Sequence, residues 1–152
     1  MFDPAIVAAA SAWSADRIEE FLMRTAIPCR LSCLTPQGFP HVNSLWFLYA
    51  DGALWLSTQQ SAAVCRWLHA IPRCGFEVAG DNPPYRGVRG RGVATITPAH
   101  EAPMLSRLLE RYLGDTESRL ARWLLSREAT EATIRIQPCW LTAWDYGARM
   151  GS

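Results

Sequence analysis

The spacing of hydrophobic residues divides the chain into short strands and a few helices. Apolar residues recur at helical spacing in residues 3–25 and 101–128, whereas the other segments are short, apolar and rich in β-branched and aromatic residues. A short helix is predicted over residues 61–70. The predicted strands are residues 29–35, 40–49, 53–58, 73–79, 86–97, 132–137 and 140–145.

Turn and cap residues separate these elements. Asp51-Gly52 is the strongest hairpin signal, because a type I′ turn needs positive φ at both central positions. Ser14 is a candidate N-cap of the first helix, and Ser61 is a candidate N-cap of the short one. Pro138 is expected to separate the last two strands, since proline has no N–H to donate to a sheet.

The strand predicted over residues 86–97 carries glycines on one face, which it shares with apolar residues. Glycines in a strand indicate a bend or a close approach of backbone, as at a barrel corner. The pattern as a whole predicts an α+β, mainly β fold, a small six- to seven-stranded antiparallel barrel with flanking helices. We expect one domain over residues 1–152, with the barrel at about 27–97 and 130–145 and a helical insert at about 101–128. The shared face comprises Val88, Gly90, Gly92, Ala94 and Ile96.

Composition and charge exclude several functions. A net charge of +1 provides no broad field for nucleic acid. All fifteen basic residues are arginine, which excludes chemistry that needs a lysine amine, such as a Schiff base. The five cysteines lack a C-x-x-C pair and indicate buried thiols in a reducing, cytoplasmic setting. The alanine-rich stretch of residues 5–12 has no basic residue before it, so neither a secretory signal nor a membrane span is expected.

A polar turn and two tryptophans are candidate binding residues. Ser57, Thr58 and Ser61 lie where a strand leads into a helix, which suits either a helix cap in a polar loop or the binding of an anion. Trp46 and Trp55 either fill the barrel or stack on a ligand. The sequence leaves both pairs of alternatives open.

Arginines and histidines give weaker signals. Arg89 and Arg91 point to one side of their strand and Arg86 to the other, which suits either a solvated edge or an anion clamp. The histidines lack ligand-spaced partners, so no metal site is expected, and no catalytic acid, base or nucleophile is indicated. They are His41, His69 and His100.

Four stretches of sequence carry a resemblance that spans nearly the whole chain. They are LSCLTPQGFPHVNSLWFLYADGALWLST, LHAIPR, PPYRGVRGRGVATI and IRIQPCWLTAWD. In this order they resemble the pyridoxamine 5'-phosphate oxidase-like family of flavin mononucleotide (FMN)-binding split β-barrels. The resemblance implies a homodimer that holds two FMN molecules at its subunit interface.

The resemblance also implies which residues contact the cofactor. Those of the second strand that would contact the isoalloxazine ring are Asn43, Ser44, Leu45 and Trp46. Those that would contact the ribityl and phosphate oxygens are Ser57, Thr58, Gln59 and Ser61. In relatives, an aromatic residue near the C-terminus approaches the flavin from the partner subunit, so Trp140 and Trp144 would either have this role or pack in the core or the dimer interface.

The sequence departs from the family where the phosphate is expected. Relatives commonly carry one or two basic residues after the serine that matches Ser61, but residues 62–64 are Ala, Ala and Val. A phosphate there loses its charged partner. Arg66 is the nearest replacement, with Arg86, Arg89 and Arg91 as others.

The implied function is that of an FMN-dependent oxidoreductase acting on a small organic substrate with a nicotinamide cofactor. Activity as a true pyridoxamine-phosphate oxidase is not expected, because the basic residues that bind the substrate phosphate are not evident. The alternative is a non-catalytic binding or sensing module of the same fold that holds flavin, deazaflavin or haem.

Overall fold

Seven antiparallel strands form one sheet in the computed structural model, which describes residues 1–150. The strands are β1 Cys29–Leu34, β2 Pro40–Leu45, β3 Phe47–Ala50, β4 Ala53–Gln59, β5 Arg73–Ala79, β6 Arg86–Pro98 and β7 Glu131–Asp145. Their order is β2-β1-β5-β6-β7-β4-β3, and the two edges of the curved sheet do not pair, which makes it a split rather than a closed barrel. The mainly β class and the strand number are as predicted.

Five α-helices accompany the sheet within the part of the chain that the structure describes. They are α1 Ala15–Arg24, α2 Ala63–Ala70, α3 Leu105–Leu113, α4 Arg119–Leu125 and α5 Gly147–Met150. Two short 3-10 helices are Pro4–Ile6 and Glu128–Thr130. Among these helices, none has both the length and the apolar character needed to cross a bilayer.

The main core consists of buried side chains from the strands together with those of α1 and α2. From Val88 to Thr95 of β6, buried and exposed residues alternate, as predicted from the shared face of Val88 and Ala94. A Cβ at Gly90 would lie 2.1 Å from Cζ of Phe76, so the glycine leaves room for the ring opposite it on β5. The close approach predicted for this strand is therefore made by an aromatic side chain at this position. The largest fully buried side chains are Phe47, Ile18, Leu22, Leu31, Leu54, Leu56, Leu68, Leu108, Leu109, Ile134, Ile136 and Leu141.

The turn between β3 and β4 is confirmed. Asp51 and Gly52 have φ of 53° and 71°, the positive values that a type I′ hairpin needs. The N-cap of α1 is also confirmed, because the backbone N–H of Arg17 donates to Oγ of Ser14 at 3.3 Å. Both features are local, which is why the sequence indicates them directly.

Two strand boundaries differ from the prediction. The run of residues 40–49 is broken at Trp46, where the chain passes from one edge strand to the other edge. The prediction of two terminal strands is wrong, because β7 continues through Pro138. The pairing of β6 with β7 shifts there, with Cys139 as the extra residue of a bulge, so the missing N–H of the proline falls at an irregular position in the ladder.

Two helix boundaries also differ. Residues 7–14 are not helical, because their backbone follows β7: N–H of Ala8 donates to O of Leu141 at 2.8 Å, and N–H of Ala12 to O of Ala143 at 2.9 Å. Ser61 does not cap α2, which begins at Ala63 after an N-cap position without a side-chain hydrogen bond.

All five cysteines are free thiols. Burial raises the pKa of Cys74 to about 12 and raises the pKa of the Cys29 and Cys33 thiols as well. Cys65 is likewise buried, whereas Cys139, the bulge residue, is exposed.

Candidate functional site

A cavity of about 370 Å³ lies between the sheet and the helical insert, and we call it the roofed cavity. One wall consists of hydroxyl and amide side chains from β2 and β4, and the other of leucines from α3 and α4. It brings together six of the residues predicted to bind a cofactor. The lining residues are Ser44, Leu45, Trp46, Ser57, Thr58, Gln59, Leu105, Leu108, Leu120, Leu124 and Glu131.

Trp46 connects the sheet to the roof. Its ring stacks on Tyr112 of α3, with the ring centroids 4.9 Å apart and the planes at 6°. The Tyr112 hydroxyl accepts a hydrogen bond from N–H of Phe47 at 3.1 Å and donates to O of Ile27 at 2.9 Å. Trp46 therefore packs against the roof and also lines the cavity, whereas its stacking on a ligand stays a prediction. Trp55 does not line the cavity, and its indole N–H donates to O of Ala50 at 2.9 Å.

A buried carboxylate lies at the polar end of the roofed cavity. Glu131, at the start of β7, is only 7% exposed. One of its oxygens accepts a hydrogen bond from Ser57 Oγ at 2.9 Å, and the other accepts one from Gln59 Nε2 at 2.5 Å. The sequence analysis missed this residue, because a lone glutamate at the beginning of a strand has no local pattern that marks it as buried.

Three of the twelve predicted site residues line neither the roofed cavity nor a second cavity that is lined by arginines. Asn43 of β2 is half-buried, and its Oδ1 is buried without a hydrogen-bond partner among the described residues. Ser61 is exposed and lies outside the cavity wall. Arg66 does reach back along α2, but its Nη1 donates to O of Ser61 at 2.8 Å in an exposed position.

Arginines line a second cavity of about 690 Å³ on the outer face of the sheet, which we call the arginine groove. Arg89 and Arg91 project from β6 to the same side, as predicted, and line it together with Trp140. Arg91 lies 4.4 Å from the ring centroid of Trp140. Arg30 of β1 also lines the groove and pairs in register with Ser44, which lines the roofed cavity. The sequence analysis did not single out Arg30.

The charges of the groove are partly balanced. Nε of Arg89 lies 3.2 Å from a carboxylate oxygen of Glu77, and its guanidinium lies 4.1 Å from the ring centroid of Trp144. Arg86, on the other side of β6, is 3.9 Å from a carboxylate oxygen of Asp145 and does not line the groove. Of the twelve predicted residues, six thus line the roofed cavity, three line the arginine groove, and Asn43, Ser61 and Arg66 line neither.

The histidines are not gathered at either cavity. The ring of His41 packs against Trp67 of α2 at 4.9 Å between centroids, and His69 and His100 lie elsewhere. Within residues 1–150, no three His, Cys, Asp or Glu side chains are grouped so as to hold a metal ion.

Comparisons with known proteins agree with the fold. The family model of pyridoxamine 5'-phosphate oxidase matches residues 14–136. The conserved hypothetical protein Rv2991 from Mycobacterium tuberculosis is 26% identical, with a TM-score of 0.75 over 91% of this chain and 89% of that one. An FAD-binding protein from Mesorhizobium loti is 21% identical, with a TM-score of 0.64 over 86% and 94%. An F420 reductase is 24% identical, with a TM-score of 0.68 over 81% and 94%. Comparison with curated proteins gives no match.

Proposed function

The chain belongs to the pyridoxamine 5'-phosphate oxidase family, and from this premise we propose that it binds a flavin in the roofed cavity and acts as a flavin-dependent oxidoreductase. The observation that carries the proposal is the composition of the cavity wall. Six residues expected from the family resemblance to contact the cofactor line one cavity of about 370 Å³, a size within the usual range for ligand sites.

The two walls of the cavity match the two parts of a flavin. Leu105, Leu108 and Trp46 provide an apolar, aromatic surface for a planar ring. Ser57 and Gln59 provide polar groups for the hydroxyls of a ribityl chain. The ring and the ribityl chain of a flavin therefore fit the residues present.

A bound flavin supplies the redox chemistry, and the protein supplies binding, orientation and exclusion of water. Trp46 is held in place by its stack on Tyr112, so the aromatic surface does not have to be ordered when a ligand binds. Leu120 and Leu124 of α4 cover the cavity from the solvent side. We assign no acid or base catalyst in this cavity, because both carboxylate oxygens of Glu131 accept hydrogen bonds from Ser57 and Gln59.

We propose further that the protein is a homodimer. Phe39 and Val42 are 71% and 62% exposed, and Leu34 and Val93 are also exposed on the outer sheet face. Exposed apolar groups of this kind mark association surfaces. Light scattering should give twice the chain mass for the wild type, and Val42→Asp is expected to shift it towards the monomer. A monomeric wild type would contradict the proposal.

Deazaflavin has the same planar shape as flavin and is tested beside it. Haem is a weaker candidate for this cavity, because no histidine among the described residues lines it to serve as an axial ligand. One of the similar structures is called an F420 reductase, which favours deazaflavin over haem as the second candidate ligand.

A fluorescence titration tests flavin binding at this site. Riboflavin, FMN and deazaflavin are added to the purified protein while tryptophan emission is followed. Ser44→Tyr places a ring in the cavity and is expected to abolish saturable quenching by flavin. Ser106→Tyr, the same change at an exposed position of α3 outside the cavity, is the matched control. Absence of saturable quenching by any flavin at tens of micromolar, or equal quenching in both variants, would refute the assignment.

Reduction by a nicotinamide cofactor separates an enzyme from a binding module. The flavin-loaded protein is mixed with NADH or NADPH without oxygen, and the visible spectrum is recorded. Bleaching of the flavin bands supports the oxidoreductase. An unchanged spectrum with both donors would instead favour the non-catalytic binding module.

A further inference from the structure

We propose that Glu131 makes the polar end of the roofed cavity select against phosphate, so that the protein prefers a flavin without a phosphate group, riboflavin, to FMN. The inference rests on the proposed flavin binding and specifies its ligand. It assigns Glu131 as a specificity-determining residue.

The hydrogen-bond donors at this end of the cavity are already engaged. Ser57 Oγ and Gln59 Nε2, two donors expected for a phosphate, already donate to the Glu131 carboxylate at 2.9 and 2.5 Å. The backbone of Glu131 is held as well, because Nε2 of Gln60 donates to its carbonyl oxygen at 3.0 Å. A phosphate would have to take these donors from a carboxylate that is itself buried.

The charge at the polar end of the cavity also disfavours a phosphate. Glu131 is the charged residue among those that line the roofed cavity, and no arginine or histidine of residues 1–150 shares that lining with it. The arginines expected to replace the missing basic residue point elsewhere, because Arg66 donates to O of Ser61 and Arg91 lines the arginine groove. A phosphate beside Glu131 would therefore meet an uncompensated like charge in a poorly solvated place.

The field of this carboxylate also reaches α2. Burial is the main reason why the pKa of the Cys65 thiol is raised, and the negative charge of Glu131 raises that pKa further. Cys65 lies in the first turn of α2, beside the neutral residues 62–64. The carboxylate of Glu131 thus places a negative charge near the expected phosphate position, where the basic residue of relatives is missing.

The same carboxylate suits a hydroxyl ligand. A carboxylate is an acceptor only, and each hydroxyl of a ribityl chain can donate to it. Hydrogen bonds to a charged acceptor are stronger than those between neutral groups. Each carboxylate oxygen has two lone pairs, so a ribityl hydroxyl can donate to Glu131 while Ser57 and Gln59 keep their hydrogen bonds to it.

The experiment compares riboflavin and FMN in the fluorescence titration. Wild-type protein is expected to bind riboflavin more tightly than FMN. Glu131→Gln keeps the shape of the side chain and removes its charge, and it should raise the affinity for FMN relative to riboflavin by roughly tenfold or more. Glu128→Gln removes one negative charge outside the cavity and should leave the ratio unchanged.

Each outcome decides the question. Wild-type protein that prefers FMN, or a ratio that does not move in Glu131→Gln, overturns the selection proposed here while flavin binding itself stands. Failure of both flavins to bind wild-type protein overturns the proposed function and this inference with it. Gln59→Arg keeps Glu131 and places a cation beside it, so an affinity ratio that does not move towards FMN in that variant overturns the inference even where Glu131→Gln does not fold.

Discussion

The hydroxyl of Tyr112 gives the sharpest test of how the roof is held on the sheet. It accepts a hydrogen bond from N–H of Phe47, a fully buried residue, and donates to O of Ile27. Tyr112→Phe removes one oxygen atom and leaves both backbone groups without this partner. The stacked ring against Trp46 stays, so the change isolates the hydrogen bonds from the aromatic contact.

The expected cost follows from burial. A buried polar group left without a partner costs about 1–3 kcal/mol. Ile27 is only partly buried, so water can replace the lost donor there, and the cost comes mainly from Phe47. For a chain of this length, about 1–3 kcal/mol corresponds to a fall in melting temperature of roughly 2–12 °C. Flavin affinity should change little, because the surface of Trp46 is kept.

Thermal unfolding followed by circular dichroism measures this effect. Tyr146→Phe is the matched control, because Tyr146 is exposed and its hydroxyl makes no hydrogen bond to the described residues. The reasoning is refuted if Tyr112→Phe melts within about 1 °C of the wild type, or if the control loses as much.

Three further changes test the core and the pH dependence of stability. Gly90→Ala places a methyl group against the ring of Phe76 and should lower the free energy of unfolding by about 1–3 kcal/mol in denaturant titrations. Adding Phe76→Leu should recover part of this loss. If the losses of the two changes are simply additive, the contact between the two positions is contradicted. Burial raises the pKa of Tyr49, so its contribution to stability should be full below about pH 10 and decline as the pH rises above it, and Tyr49→Phe should flatten that decline. The hydrogen bond from N–H of Gly147 is the main reason why the pKa of Asp145 is lowered in the folded protein. The contribution of Asp145 to stability should therefore be present above about pH 4 and be lost as the pH falls through its lowered pKa. Asp145→Asn should remove this acid dependence, and an unchanged acid limb would count against it.

The parts of the fold that sequence predicts well are those fixed by neighbouring residues. The positive φ of Asp51 and Gly52 and the cap at Ser14 depend on a few adjacent positions, and both were predicted. The continuation of β7 through Pro138 depends on β6, where the register shifts opposite the proline. Because a bulge is defined by two strands, the sequence of one strand could not reveal it.

The candidate site likewise contains residues that the sequence predicts and one that it does not. Ser44, Ser57 and Gln59 were predicted through the family resemblance, and the structure brings them to one cavity. Their binding role stays a prediction. Glu131 lies more than seventy residues from its hydrogen-bond partners, with a separation of 74 from Ser57, so its burial arises only from the pairing of β4 with β7.

The bulge in β7 also makes the protein convenient to label. Cys139 is exposed, whereas the other four thiols are buried, and the pKa of each of those four is raised. A thiolate reacts with maleimides and a buried thiol does not. A single fluorophore or spin label can therefore be attached to the natural sequence without removing any cysteine. Cys139 lines a neighbouring cavity that shares Arg91 with the arginine groove, so a reporter there would respond to a ligand or a second subunit.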